Sequence, residues 1–274
     1  MNIEPMHLSP RSVNEALTLL KTYPDAIVIG GGTAAQLTWP GGRAPVCLID
    51  LQALIRQACL QPIHWGDPVE SGRTLVLSAF ASLEALRRHP LVQSELPELA
   101  NLLSHVASAP VRRLGTLGGN LCWSGGDLGC VMLALGARFR FALAGERAAT
   151  SVQELPLHDV LTDVIVPTQN YTAVFNKVGF RAEFSPTLVT IAIVRSAADT
   201  RVAAGGGPTA AQRLPAVERL VNAGGFDVAL MRQAVRTQLR TTSDALGTAA
   251  ERQEVAARTI AGYLSLALAE RRCA

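Results

Sequence analysis

Two glycine-rich stretches carry the chemistry that the residue types imply. One reads Ile29-Gly30-Gly31-Gly32-Thr33-Ala34-Ala35-Gln36, the other Arg112-Arg113-Leu114-Gly115-Thr116-Leu117-Gly118-Gly119-Asn120-Leu121. Gly115, Gly118, Gly119 and Asn120 crowd the second, a composition poor for either a helix or a strand. Glycine admits positive φ and leaves backbone N–H groups bare, so such stretches fold into concave nests of donors that bind phosphate. The first stretch follows the apolar run Ala26-Ile27-Val28-Ile29, which places it at the end of a strand. Two nests with hydroxyl and amide side chains beside them suit a ligand with two phosphates, as in a nucleotide cofactor.

Other chemistries find less support. The cysteines are Cys47, Cys59, Cys122, Cys130 and Cys273, with no C-x-x-C pair. Their scatter and odd number argue against a disulfide framework, a zinc site or an iron–sulfur cluster held by this chain alone. The histidines, His7, His64, His89, His105 and His158, show no H-x-x-x-H pairing, so no metal site is expected. No G-x-S-x-G nucleophile signature occurs. A net charge of +3, thinly spread, gives no reason to expect nucleic acid. Met1-Asn2-Ile3-Glu4-Pro5 lacks the basic and apolar regions of a signal peptide. No apolar run approaches the ~20 residues that span a bilayer. The expectation is a soluble cytoplasmic protein.

The elements that must position the two stretches can be read in order. The chain has 274 residues, 49% hydrophobic and 17% charged, enough for one large or two medium domains with a sizeable core. Ser12 with Glu15 three residues on is a capping box, and Val13, Ala16, Leu17 and Leu20 share a helix face over 9–22. Strands are expected at 26–29 and 46–49, the second ending at Asp50. A hairpin region spans 63–77, and Ser82 caps a helix over 83–89 with Pro90 after its end. A further helix covers 97–107, an apolar helix or buried segment 131–137, and a half-buried strand 138–144. A domain boundary falls near Val166-Pro167-Thr168. Beyond it come three strands, 171–180, 188–195 and 201–204, then helices at 214–222, 227–239 and 249–271. Strands followed by helices imply a separate α+β domain.

Gly30-x-Gly32-x-x-Ala35 after a strand, with Asp50 at the ribose-binding distance, also satisfies a dinucleotide-binding Rossmann fingerprint. That fold needs a crossover of a dozen or more residues containing a helix. Only 33–38 is available before Trp39-Pro40-Gly41-Gly42 breaks the chain, under two turns, so this reading ranks second.

The residues resemble a known family, the FAD-binding medium subunit of the molybdenum hydroxylases, which includes xanthine dehydrogenase and carbon monoxide dehydrogenase. Gly30-Gly31-Gly32-Thr33 and Thr116-Leu117-Gly118-Gly119-Asn120 are similar to its two FAD loops. Arg112-Arg113, Leu48-Ile49-Asp50-Leu51 and Lys177-Val178-Gly179-Phe180-Arg181 also match it, in the same order along the chain. The resemblance implies an α+β fold: a two-lobed FAD-binding domain of the vanillyl-alcohol-oxidase type over 1–167 (lobes about 1–55 and 56–167). A smaller α+β C-terminal domain over 168–274, a three-stranded sheet plus helices, would follow.

The implied cofactor is FAD, contacted by Ile29, Gly30, Gly31, Gly32, Thr33, Ala34, Gln36, Thr116, Leu117, Gly118, Gly119, Asn120, Asp127 and Lys177. Asp127 either accepts from a ribitol or ribose hydroxyl or caps a helix over 128–135. Lys177 would bring positive charge near the flavin; otherwise it is a solvated strand lysine. The implied partners are a small iron–sulfur subunit carrying [2Fe-2S] clusters and a large subunit carrying the molybdenum cofactor. The chain would be an oxidoreductase subunit that relays electrons, with no catalytic or metal residues of its own. A shorter Asn120–Asp127 segment, with Ser124-Gly125-Gly126, departs from the family. It keeps open a flavin-free scaffold, beside a stand-alone FAD-dependent reductase or oxidase.

Overall fold

A computed structural model describes residues 5–35, 45–58, 61–68, 72–156, 158–168, 170–181, 185–224 and 227–273. By their internal contacts these residues fall into two units. The first takes residues up to Trp123, with Ala137–Ala148 and Leu155–Thr168; the second takes Ser124–Gly136, Ala149–Glu154 and Gln169 onward.

The first unit opens with β1 (Met6–Leu8), α1 (Val13–Thr22), β2 (Ile27–Ile29), β3 (Cys47–Asp50) and α2 (Gln52–Ala58). Ser12 caps α1 through its hydroxyl, which accepts the Glu15 N–H at 3.1 Å. The Glu15 carboxylate reaches back to the Arg11 N–H, one residue before the cap. Ala16 and Leu20 of α1 pack on Ile49, Leu51 and Leu54, as a helix stripe on a small sheet must. The sheet runs β1-β3-β2, and both pairings with β3 are parallel. β1, only three residues long, has no sequence pattern to announce it.

A second sheet holds β4 (Ile63–Trp65), β5 (Arg73–Ser78), β6 (Arg138–Phe141), β7 (Gly145–Arg147) and β8 (Leu161–Thr168), in the order β4-β5-β8-β6-β7. Its core strands bury Leu75, Leu77, Phe139, Val164 and Val166. Between β5 and β6 in sequence lie α3 (Leu83–Arg88), α4 (Pro90–Glu95), α5 (Pro97–His105), α6 (Ala109–Leu114) and α7 (Leu117–Cys122). Pro90 follows the end of α3, as expected, and also begins α4, because the first helical position needs no N–H.

Glu84 of α3 is the electrostatic centre of these helices. Its carboxylate, 7% exposed, accepts from Arg87, Arg88 and Arg112. Arg87 above all, then Arg112 and Arg88, outweigh the cost of burial and hold the Glu84 carboxyl down at about 2. Arg112 also donates to the carbonyls of Val106 and Ala107 at 3.1 and 2.7 Å, closing the chain that leaves α5. It thereby fixes where α6 begins.

The second unit contains α8 (Leu128–Leu135), β9 (Tyr171–Gly179), β10 (Thr187–Ser196), β11 (Thr200–Gly206) and β12 (Thr209–Arg213). These are followed by α9 (Pro215–Asn222), α10 (Val228–Gln238) and α11 (Ala249–Cys273). The antiparallel sheet has four strands, β12-β11-β10-β9, not the three expected. The extra strand, Thr-Ala-Ala-Gln-Arg, is short and carries no β-branched run, so only the glycine turn before it and its pairing with β11 make it a strand. Val189, Ile191 and Ile193 of β10 face α9, α10 and α11, meeting Val217, Met231, Val235 and Ile260. α8, buried throughout, lies against β10, β11 and β12. Among the described residues no helix is long and apolar enough to cross a membrane.

Removing the Glu84 charge leaves Arg112 buried and unpaired, so Glu84→Gln should cost about 3 kcal/mol of stability, measured by urea unfolding at pH 7. Because the folded pKa lies below the unfolded one, this contribution is present above the ordinary glutamate pKa of ~4.3 and fades as pH falls toward 2. Wild type and Glu84→Gln should therefore converge in stability as the pH is lowered through that window.

Candidate functional site

The two glycine stretches meet inside the first unit. A Cβ on Gly31 would stand 1.7 Å from the Leu114 carbonyl oxygen and 2.9 Å from the Gly115 nitrogen. A Cβ on Gly30 would stand 2.8 Å from Thr116 Oγ1, and one on Gly115 3.2 Å from Thr33 Oγ1. Backbone lies on backbone here, which only glycine permits. The first loop is also held from below. Leu51 N–H donates to the Ile29 carbonyl at 2.9 Å, and the Gln52 side chain donates to the Gly30 carbonyl at 3.4 Å.

What the first loop leaves open is its donors. Among the described residues, the N–H groups of Gly31, Gly32, Thr33 and Ala34 donate to no protein acceptor. Gly32 adopts φ +68°, and among the described residues none but its chain neighbours has a heavy atom within 4 Å of the place its Cβ would take. Adjacent N–H groups with no protein acceptor among the described residues can form a nest for an anion, and the residues fit a pyrophosphate. Gln36 and Trp39 lie outside the described residues.

The second stretch differs from expectation. Leu117–Cys122 is a helix, α7, and Thr116 is its N-cap, accepting the Gly119 N–H at 3.0 Å through its hydroxyl. Leu117 and Gly118 donate to the carbonyls of Ala81 and Ala79, at 2.9 and 2.7 Å, and Asn120 donates to the Thr116 carbonyl. The N–H groups of Leu117, Gly118, Gly119 and Asn120 are thus spent within the protein. The low helix propensity of two glycines is overridden by a cap and by tertiary carbonyls that take the first donors. This stretch is the wall against which the first loop is set.

Asp127 and Lys177 belong to the second unit and meet there. Asp127 Oδ2 accepts from Lys177 Nζ at 2.9 Å, while Oδ1 accepts from Thr187 and Thr190 at 2.8 and 2.6 Å. Asp127 precedes α8 but makes no side-chain cap bond, so helix capping is not what fixes it. Lys177 is not a solvated strand lysine, since its side chain is 13% exposed. Thr187 and Thr190 went unnoticed in the sequence; a hydroxyl in an apolar strand run was the available signal. Asp50, the acid of the Rossmann reading, has its Oδ1 on the Gln52 N–H at the start of α2. Cys130 is buried, which pushes its thiol pKa up and makes it unreactive.

Residues 2–169 match the model of the FAD binding domain in molybdopterin dehydrogenase. The chain belongs to that family. It is 27% identical over 233 residues to the nicotine 6-hydroxylase medium subunit of Paenarthrobacter nicotinovorans, covering 79% of each chain. To the carbon monoxide dehydrogenase medium chain of Hydrogenophaga pseudoflava it is 31% identical over 135 residues, 48% of this chain and 44% of that one. The fold is that of a chain of carbon monoxide dehydrogenase from H. pseudoflava, with a TM-score of 0.76, 21% identity, and 95% and 96% of the two chains covered. The resemblance read from the motifs is borne out: this is a medium, FAD-binding subunit type of the molybdenum hydroxylases, an oxidoreductase component of α+β fold.

The geometry separates the two glycine stretches by mutation. Gly31→Ala drives a methyl into the Leu114 carbonyl and must shift the first loop, so FAD affinity should fall at least about tenfold, ~1.4 kcal/mol. Gly119→Ala meets only the Thr116 hydroxyl at 3.0 Å and should fall less. Calorimetric titration of each apo-variant with FAD checks the order; equal affinities would show that the loop contact does not shape the nest.

Proposed function

We propose that this chain is the FAD-bearing electron-transfer subunit of a molybdenum-containing hydroxylase or dehydrogenase. It would take electrons from an iron–sulfur subunit and pass them to an external acceptor. One observation carries the placement of the cofactor: the unpaired N–H groups of Gly31 to Ala34, open to an anion, in a chain of this family. When bound, FAD supplies one- and two-electron redox chemistry.

The chain's own residues hold the cofactor. The Gly31–Ala34 donors neutralise the pyrophosphate, with Thr33 Oγ1 beside them. Ile29 and Gly30 set the direction from which the loop leaves β2. Leu117 to Asn120, whose donors are engaged, contribute by holding Leu114–Thr116 against that loop. For Asp127 and Lys177 we keep the roles the resemblance implies: an acceptor for a cofactor hydroxyl and a positive charge for the flavin. The relatives include medium subunits of a nicotine hydroxylase and a carbon monoxide dehydrogenase. By analogy, substrate chemistry here belongs to a molybdenum-cofactor partner.

The full chain should bind one FAD without a covalent bond, so acid precipitation releases the yellow chromophore into the supernatant; flavin retained on the pellet contradicts this. A tag on this chain, co-expressed with its genetic neighbours, should bring down molybdenum and iron, and the flavin should be reduced by substrate only in that assembly. A chain that runs alone and whose flavin is bleached by an organic substrate at ~1–1000 per second would make it a stand-alone enzyme instead. A colourless full chain that takes up no FAD would make it a scaffold.

A further inference from the structure

Leu114, whose carbonyl meets Gly31, is not held by its own side chain, which is 57% exposed. The residues on either side of it are gripped instead, and one short stretch grips them all. Ser82, the N-cap of α3, forms an antiparallel bridge with Thr116. The Leu83 N–H donates to the Gly115 carbonyl at 2.9 Å. The Glu84 carboxylate takes Arg112 Nε at 2.9 Å. Three successive residues thus engage 116, 115 and 112, and Leu114 lies between the last two. The same strip meets the first loop: a Cβ on Gly30 would stand against Thr116 Oγ1, one on Gly31 against the Leu114 carbonyl, and one on Gly115 against Thr33 Oγ1. All of these residues belong to the first unit.

Of these three grips, only that on residue 112 is made by two side chains, and it also restrains a strained turn. Ala107, just after α5, adopts φ +51°, a left-handed conformation that a residue with a Cβ resists. Buried Arg112 donates through Nη1 to the carbonyls of Ser104, Val106 and Ala107, at 3.3, 3.1 and 2.7 Å. One guanidinium therefore fastens the turn that starts α6 to α3. Without Arg112, or without the carboxylate that orients it, the turn is free to relax, and residues 112–115 move with it. A planar fork of donors is needed for this, and a lysine ammonium does not supply one.

We propose that Glu84 and Arg112 are positioning residues for the pyrophosphate: by setting the Leu114 carbonyl they set how Gly31 lies, and so where the N–H groups of Gly31 to Ala34 point. The proposal rests on the FAD reading above, with the pyrophosphate on those donors. Both residues act through Leu114 and its neighbours, not by touching the cofactor. A hydrogen bond weakens steeply as its donor turns from the acceptor, so a small rotation of the loop is felt by several donors at once. Because the contact is backbone on backbone, with no side chain to give way, a shift of Leu114 passes directly to the loop.

The test titrates the full apo-chain with FAD by calorimetry, with circular dichroism showing that each variant is folded. Arg112→Lys keeps the charge and loses the fork, so a fall in affinity of about tenfold reports geometry alone. Glu84→Gln separates geometry from charge. It makes the region more positive, which by charge alone would tighten an anionic cofactor, whereas loss of positioning should weaken it about tenfold. Arg88→Ala, which removes an exposed donor from the same carboxylate, should stay within about twofold of wild type. Arg112→Lys combined with Gly31→Ala should lose less than the product of the single losses, because a relaxed Leu114 relieves the clash with the new methyl. Wild-type affinity in a folded Arg112→Lys, or tighter binding by Glu84→Gln, overturns the proposal. Independent losses in the double variant overturn the route through Leu114. Should Arg112→Lys fail to fold, Glu84→Gln, alone and with Gly31→Ala, decides by the same criteria. A wild-type chain that takes up no FAD is a different result: it sinks the cofactor reading and this proposal with it.

Discussion

The backbone contact between Gly31 and Leu114 is the constraint on which the rest of the first unit depends. Two chain segments more than eighty residues apart approach so closely that a single methyl would stand 1.7 Å from an oxygen. Such a contact has no attraction of its own to hold it, so each side must be set by something else. On one side β2 pairs in parallel with β3, and Leu51 and Gln52, where β3 passes into α2, take up the Ile29 and Gly30 carbonyls. On the other, Arg112 is clamped between Glu84 and the carbonyls that end α5, so α6 delivers Leu114 to a fixed place. The loop set in this way leaves the N–H groups of Gly31 to Ala34 with no acceptor among the described residues.

The second unit solves a different problem with different means. Its sheet must carry a charged pair in an interior that is otherwise apolar, and isolated charges there are costly. The solution is to give the carboxylate two hydroxyls and an ammonium as donors, and to place the residue that carries the ammonium directly across the ladder from one that carries a hydroxyl. The device needs α8, which leaves the second glycine stretch after only a few residues and ends in the second unit. The helix that carries Asp127 is thus separated, by contacts, from the residues on either side of it in sequence.

α1 was legible, because Ser12, Glu15 and the 3–4 spacing of Ala16 and Leu20 are local signals. So were β9, β10, β11 and the three C-terminal helices, long enough for their periods to show. β1, β12, α4 and α7 were not. Each is short; β1 owes its state to β3 and α7 to the Ala79 and Ala81 carbonyls, both far along the chain, whereas β12 is set by its hairpin with β11 and α4 by its His89 cap. Thr116-Leu117-Gly118-Gly119-Asn120 looked like an open loop for a sound reason, since its propensities are poor; a cap and two carbonyls outweighed them.

By itself the sequence determined the chemistry available: two glycine stretches, the first of them after a strand, and motifs in the order of a flavoprotein subunit. It also determined the alternation of the long strands and helices, because those patterns depend only on neighbours within a few residues. Tertiary structure alone decided which stretch keeps its donors free and which spends them, since that turns on carbonyls brought from other elements. It alone decided that Asp127, Lys177, Thr187 and Thr190 form one group, because a single extra residue in β10 sets the face to which a side chain turns. No count of local preferences contains that information; it resides in the register of one strand against another.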